Sequence, residues 1–398
     1  MATFHRKLSS TRWERNGITI VELCGSPEEM GRDHGRLLKK MIQHGYYNFV
    51  EKGVLPGIGR ELFGDDAMKI AGFHDWCQKQ AKKYVEKISP DLEMEIRAMA
   101  QEAELSWEQA LFLQVILDVI ELAGLTHSDQ FFHSCTQVAF LPETTGGSTL
   151  VARNLDWPPF GLAQAISVLF HYIPDNGIPF WSQGFAGTSG VLTAMNHEGL
   201  VITEESLTET ADVSDKGVPH CLLHREMAQY DSTIEAAKTR LIESPRNNGY
   251  HTLIASGKEE DALVVLTSAH HHAVRRARDS ACWGIEPNRT PEMFDEGTLP
   301  HEHVPLTNDS SDIRYSRLRG LAENHGGPIT VENCKAWLAD DIDTATGLPG
   351  TSLHSISNDT TLHSFVADAT NRKFHVAMGL VPAPRGGFVS FDLDESMT

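Results

Sequence analysis

The chain has 398 residues, of which 40% are hydrophobic and 22% charged, enough apolar material to bury one large core or two domains. Its formal net charge of -20 argues against nucleic acid or an anionic membrane as the main partner. No stretch approaches the roughly 20 apolar residues that a membrane span needs, and Met1-Ala2-Thr3-Phe4-His5-Arg6-Lys7 has no apolar run behind its basic residues, unlike a secretory signal.

Residues 17–24 (Gly-Ile-Thr-Ile-Val-Glu-Leu-Cys) are β-branched and apolar and predict a strand. Ser26-Pro27-Glu28-Glu29 then supplies a capping hydroxyl, a proline in the first helical turn and a glutamate that closes a capping box. A helix to about residue 52 is expected, because Met30, His34, Leu37, Leu38, Met41, Ile42, Phe49 and Val50 recur at helical spacing. Gly31 and Gly35 lie inside it, each costing about 1 kcal/mol against alanine, so a close packing contact is expected there. Three further helices are predicted over 65–87, 91–103 and 107–123, the last with Ser106 as cap and Gln109 at the capping-box position.

At Phe131 the pattern turns to β-structure. His133-Ser134-Cys135-Thr136-Gln137-Val138-Ala139-Phe140 predicts a strand, Gly146-Gly147 a turn, and Thr149-Leu150-Val151-Ala152-Arg153-Asn154-Leu155-Asp156-Trp157 a second strand. A hairpin brings its far ends together, so Cys135, Arg153 and Asp156 can meet. A thiol beside a guanidinium has a depressed pKa and is a better nucleophile. The same residues also fit a small buried cysteine beside a structural Arg–Asp pair, and local sequence leaves both readings open.

Beyond the hairpin, strands over 165–172 and 177–183 flank the turn Asp175-Asn176-Gly177, and strands over 191–195 and 200–204 flank Asn196-His197-Glu198-Gly199. Helices are predicted over 218–229 and 233–242, strands over 250–256 and 262–268, a long loop over 277–309, helices over 311–324 and 330–339, and strands over 363–369 and 373–379. The switch near 131 separates a helical portion, 1–134, from a portion richer in strands, 135–398. No Gly/Ser- or Pro-rich spacer lies between them, so together they form one compact unit.

Cys-Thr at a strand start, followed by a hairpin ending in Ala-Arg-Asn-x-Asp-Trp, resembles the self-cleaving acyltransferases and hydrolases of the isopenicillin-N acyltransferase type. These are relatives of bile-salt hydrolases and acid ceramidase in the N-terminal-nucleophile class. Residues 25–35 (Gly-Ser-Pro-Glu-Glu-Met-Gly-Arg-Asp-His-Gly) resemble that family's opening motif, Asn196-His197-Glu198-Gly199-Leu200 its Asn-x-x-Gly-Leu turn, and Ser310-Ser311-Asp312-Ile313-Arg314 its Ser-Ser-x-x-Arg motif. The resemblance implies an α+β fold, a four-layer αββα sandwich with a helical N-terminal portion, with which the element order is compatible. It implies cleavage of Ser134–Cys135, leaving two chains of one precursor with Cys135 at the start of the second. The freed α-amine, with an unperturbed pKa near 8, would take the thiol proton. The thiolate would attack a linear amide or thioester of a small N-acyl compound, and water or an amine would resolve the resulting thioester.

By the same resemblance Arg153 contacts the Cys135 sulfur, Asp156 orients the new α-amine, and Arg314 belongs to the catalytic set. An amide side chain should face the developing oxyanion. Relatives often carry an Asn after the Gly-Leu strand, where this chain has Thr203-Glu204-Glu205-Ser206. Asn248 and Asn308 are the candidates instead, with Ser311 and Asn196 as further substrate or oxyanion candidates. Many relatives have Gly before the scissile bond; Ser134 is less permissive of strained backbone.

An acyl-CoA is a candidate donor, and no cofactor is expected. His270-His271-His272 and His301-Glu302-His303 lack zinc-enzyme spacing, so they are read as polar, solvated loop and no metal site is assigned. The six cysteines are scattered and no CxxC occurs, which fits a cytoplasmic protein with reduced thiols. Two other readings stand beside this one: an unprocessed, non-catalytic binding protein with the same fold, and a papain-like hydrolase pairing Cys135 with a remote histidine. The second lacks a Cys-Gly-x-Cys-Trp signature.

Overall fold

The computed structural model describes residues 9–123, 135–158, 160–206, 212–277 and 309–393. It opens with a hairpin of β1 (Thr11–Arg15) and β2 (Ile18–Gly25). Asn16 and Gly17 make the turn at φ 50 and 79, the left-handed conformations that a tight hairpin demands. Sequence patterning marked β2 only; the Asn-Gly dipeptide was the available signal for β1.

Helix α1 (Pro27–His44) carries the expected capping box, with Ser26 Oγ accepting from the Glu29 N–H and Glu29 accepting from the Ser26 N–H. The single helix expected to residue 52 is two segments, and helical winding runs on beyond it. After His44 the chain widens into a π-helical stretch over Gly45–Val54 and then continues as α2 (Leu55–Phe63). Helices α3 (Ala67–Ala81), α4 (Pro90–Ala103) and α5 (Trp107–Leu122) follow. The two helix glycines have the predicted packing reason. A Cβ on Gly31 would stand 2.0 Å from the Glu95 carbonyl oxygen, and one on Gly35 2.4 Å from that of Met99, so α1 and α4 meet backbone to backbone.

The remaining elements are β3 (Thr136–Phe140), β4 (Leu150–Asp156), β5 (Ser167–Pro174), β6 (Phe180–Phe185), β7 (Thr193–Asn196), β8 (Leu200–Ser206), α6 (His220–Tyr230), α7 (Ile234–Glu243), β9 (Tyr250–Ser256), β10 (Asp261–Thr267), β11 (His272–Arg276), α8 (Asp309–Glu323), α9 (Val331–Leu338), the short pair β12 (Ile342–Asp343) and β13 (Leu348–Pro349), β14 (Thr361–Asp368), β15 (Lys373–Met378) and β16 (Val389–Asp392). Among them β11, the short pair β12 and β13, and β16 were not anticipated. His272 begins β11, an edge strand with exposed side chains, where a loop had been expected.

The described strands form two main sheets, with orders β1-β2-β5-β6-β7-β8-β9-β10-β11 and β16-β15-β14-β4-β3. Side chains alternate between faces and define four layers. Ile20, Leu169, Trp181, Val201 and Val264 of the large sheet pack against Ala139, Val151, Phe365 and Val376 of the small one. The outer face of the large sheet (Phe170, Phe180, Ile202, Val265) is covered by α1 to α7 through residues such as Leu38, Ile96, Phe112 and Leu222. The outer face of the small sheet (Val138, Phe140, Leu150, Ala152) is covered by α8 and α9 through Leu318, Cys334 and Trp337. Helix, sheet, sheet, helix is the αββα sandwich. The helical N-terminal portion is woven into it, because β2 pairs in parallel with β5 from Ile20↔Leu169 to Gly25↔Pro174.

Candidate active site

β3 and β4 pair antiparallel with Gln137 opposite Arg153 and Thr136 opposite Asn154. Alternation therefore sends Cys135, Gln137 and Ala139 of one strand, and Val151, Arg153 and Leu155 of the other, toward the large sheet. Cys135 and Arg153 meet there: Arg153 Nη2 donates to Cys135 Sγ at 3.4 Å. Among the described residues it is the only hydrogen-bond partner of that sulfur, and no histidine takes the place a papain-like pairing would need. Arg153 is 1% exposed, and its Nη2 also donates to Glu204 Oε1 at 3.0 Å. Its Nη1 donates to the Leu192 carbonyl at 3.0 Å and to Thr193 Oγ1. The guanidinium thus ties β4 to β7 and β8 across the sandwich. Gln137 makes a second tie, donating to the His251 carbonyl at 3.0 Å and accepting from Thr203 Oγ1.

Glu204 was the residue that sequence reading passed over. It occupies the strand where relatives often carry an amide, and its carboxylate faces Arg153 with Oε2 buried and without a partner. Two consecutive glutamates inside a β-branched strand were the signal, since alternation must turn one of them inward and a buried carboxylate requires a cation.

Asn154 and Asp156 face the other way, toward α8, α9 and the loop before β14. Asn154 Nδ2 donates to the Leu338 and Ile356 carbonyls, each at 2.9 Å, while its Oδ1 accepts from Ser364 Oγ at 2.6 Å. Asp156 accepts from Thr361 Oγ1 at 2.7 Å and Asn358 Nδ2 at 3.1 Å. Burial pushes its pKa up, against the opposing pull of Arg314 and these two donors. Arg314, fully buried on α8, donates from Nε to Thr136 Oγ1 at 3.1 Å and from Nη1 to the Leu353 carbonyl at 3.2 Å and to Ser310 Oγ. It braces the residue after Cys135 from the outer face.

The remaining candidates are placed elsewhere. Asn248 Nδ2 donates weakly to Asp118 Oδ1 and Tyr250 Oη, both at 3.4 Å. Its neighbours include His220, Tyr250, His224, Arg246 and Thr267. Asn196 spends its whole amide on a turn, donating to the Ala228 and Asp231 carbonyls and accepting from the Glu198 and Leu200 N–H groups. Ser311 is buried in the first turn of α8. Ser134 and Asn308 lie outside the described residues, as does His301-Glu302-His303.

Cys135 opens onto a cavity of about 110 Å³. Its walls are mainly apolar: Phe49, Val50 and Val54 of the π-helical stretch, Leu113, Ile116 and Leu117 of α5, and Leu155, Trp157 and Phe185. Polar groups reach it from Cys135, Asp156, Glu204, His220 and Cys221. The N-terminal helices therefore build much of the chamber. Trp157, the end of β6 and the turn after it (Ala186, Thr188, Gly190) belong to the lining. In the uncut chain burial pushes the Cys135 thiol up to about 12, although Arg153 acts in the opposite direction. No group of three or more His, Cys, Asp or Glu among the described residues is arranged to hold a metal ion. Within the same set no helix is long and apolar enough to cross a membrane.

The αββα sandwich is the fold of the N-terminal-nucleophile class, and here a buried Cys–Arg pair lies between its two sheets. More than half of the chain, residues 143–379, matches the family described as acyl-coenzyme A:6-aminopenicillanic acid acyl-transferase, and the chain belongs to that family. The match begins after Cys135 and includes Arg153, Asp156 and Arg314. Among curated proteins the chain is similar to Protein dcd1B of Dictyostelium discoideum, 23% identical over 282 residues, covering 67% of this chain and 54% of that protein. It is also similar to a protein of Archaeoglobus fulgidus, 27% identical over 353 residues, covering 80% of this chain and 57% of the other. The chain thus spans little more than half the length of these relatives. Solved structures similar to it include an N-acylethanolamine-hydrolyzing acid amidase ortholog of Caenorhabditis elegans, with TM-score 0.41 and 16% identity over 59% of this chain and 93% of that one. Another is penicillin V acylase of Agrobacterium tumefaciens, with TM-score 0.44 and 14% identity over 66% and 87% of the two chains.

Proposed function

We propose that the chain cleaves itself at Ser134–Cys135 and that Cys135 then acts as nucleophile on the linear amide, or thioester, of a small N-acyl compound. The observation that carries this reading is the 3.4 Å contact from Arg153 to Cys135 Sγ at the wall of an apolar chamber. A thiol held near 12 by burial is no nucleophile at neutral pH, so it needs a base. The α-amine that cleavage would free lies on the same residue, and with a pKa near 8 it suits general base work. The amine takes the S–H proton as sulfur attacks the carbonyl carbon. The C–S bond forms, the C–N bond breaks, and the ammonium returns its proton to the departing amine. Water, or a second amine, then attacks the thioester and releases Cys135. Arg153 favours the negative sulfur. Asp156, beside the start of β3 on the paired strand, orients the α-ammonium, and Arg314 steadies Thr136 behind it.

The chamber's size and apolar walls suit a small apolar acyl group. In the transferase version of the same chemistry an acyl-CoA thioester is the donor. Free thiols call for a reducing compartment, which we take to be the cytoplasm; Cys24, Cys77, Cys135, Cys221 and Cys334 are all free and buried.

The test is the mass of the purified protein under denaturing conditions. Wild type should give two pieces, 1–134 and 135–398, and Cys135→Ala a single chain. A wild type that stays in one piece and hydrolyses no acyl donor would remove the mechanism and leave an unprocessed binding protein.

A further inference from the structure

A second group of side chains in the same chamber is arranged for chemistry that Cys135 does not use. Helix α6 begins at His220 with Cys221 next, and both line the cavity. His220 stands between two partners. Its Nε2 lies 3.1 Å from Cys221 Sγ, and its Nδ1 lies 3.3 Å from Asp118 Oδ2 on α5. Asp118 is fully buried and is fixed by three more donors, Asn247 Nδ2 at 3.0 Å, the His220 backbone N–H at 3.3 Å and, more weakly, Asn248 Nδ2 at 3.4 Å. Tyr250 stacks on the imidazole with ring centroids 3.8 Å apart, and its hydroxyl is held by Glu121 Oε2 at 2.7 Å. The ring is clamped on its edge and on its face. Carboxylate, imidazole, thiol is the order of an orienting group, a base and a nucleophile. The thiol is no deeper than the first one, 8% exposed against 5% for Cys135. It also sits in the first turn of an 11-residue helix, where the N-terminal partial charge favours negative sulfur.

We infer that Cys221 is a second nucleophile of this chamber, with His220 as its base and Asp118 as positioning residue, and that it takes the acyl group of a small apolar activated ester or thioester without any cleavage of the chain. At rest the neutral imidazole keeps its proton on Nδ1, toward Asp118, and accepts the S–H at Nε2. When sulfur attacks the carbonyl carbon the proton passes to Nε2. The new C–S bond forms, the donor's C–O or C–S bond breaks, and the imidazolium gives its proton to the departing alcohol or thiol. Water then cleaves the thioester and restores the thiol. Burial disfavours a charged His220, whereas Asp118, and Cys221 once its sulfur carries negative charge, favour the imidazolium that forms as the proton arrives. Burial raises the Cys221 pKa, so proton transfer accompanies attack and no thiolate stands ready beforehand.

This inference does not depend on the role of Cys135, and its test removes that side chain. The full-length Cys135→Ala chain is mixed with p-nitrophenyl butyrate, nitrophenol release is followed, and acylated peptides are located by mass. The expected result is a burst of nitrophenol with the butyryl group on the peptide that bears Cys221. The added substitution His220→Gln should slow acylation by about 100-fold or more, the usual worth of a general base, and flatten its pH dependence. Butyrylation at another residue, or none, overturns the proposal, and so does an unchanged rate in the His220→Gln variant. Should that variant fail to fold, the position of the adduct in Cys135→Ala still decides.

Discussion

Arg153 makes four hydrogen bonds with two nitrogens: to a thiol, a carboxylate, a carbonyl and a hydroxyl. Only a planar fork of donors serves them together. Replacing it by alanine leaves Glu204 buried without its cation, and breaking such a pair costs about 3–5 kcal/mol; urea unfolding should register that loss. Arg153→Lys keeps the charge and should lose less stability. One ammonium cannot reach Sγ, Glu204 and the Leu192 carbonyl at once, so cleavage at Ser134–Cys135 should slow by about tenfold or more, the worth of one hydrogen bond. Time-resolved mass measurements check this, and a lysine variant that cleaves at the wild-type rate would take Arg153 out of the chemistry. At this scale the sequence was half legible. The two-residue alternation of β4 puts Arg153 and Asp156 on opposite faces, and their spacing shows that much. It carries no sign that Glu204, 51 residues away, completes the group.

Helix α1 shows how an element is chosen by its contacts. Its cap was plain from Ser26-Pro27-Glu28-Glu29, and the Gly31/Gly35 pair announced a close approach, now seen at the backbone of α4. Gly31→Ala forces a Cβ against the Glu95 carbonyl. It should destabilise the protein by about 1–3 kcal/mol through overpacking, and it disturbs Glu95, whose carboxylate holds the buried Arg225 at 3.1 Å. Gly320→Ala on α8, where nothing lies within 4 Å of the new Cβ, should instead stabilise by about 0.4–1 kcal/mol by restricting the unfolded chain. Thermal melts of the two variants should move in opposite directions. The widening of α1 into the π-helical stretch had no comparable signal. Phe49, Val50 and Val54 lie in that stretch and face the chamber, and a helical period in the sequence does not distinguish α from π winding.

The whole molecule joins its two portions through sheet and core. β2 of the first portion hydrogen-bonds to β5 of the second, and α5 supplies chamber walls beside Cys135. A cut at Ser134–Cys135 should therefore leave the pieces associated. Size-exclusion chromatography should give one elution volume for the cleaved wild type and the uncut Cys135→Ala chain, while denaturing gels separate two bands only for the former. Separation under native conditions would mean that the two portions do not share a core.

While the α+β sandwich was what the family resemblance implied, capping signals and hydrophobic period by themselves determined a helical start, a Cys-led hairpin and an Arg-Asn-x-Asp strand. Those features depend on neighbours within a few residues, where side-chain period and turn chemistry act directly. Tertiary structure alone decided which groups meet: Glu204 with Arg153, Asp118 with His220, and the π-helical stretch with the cysteine chamber. Asn248, the amide candidate from sequence context, bonds weakly to Asp118, and Asn196, a further candidate, is committed to a turn. Hydrogen-bonding capacity belongs to the residue, but whether it is spent on the fold or left for a substrate depends on partners that only the folded chain brings within 3 Å or so.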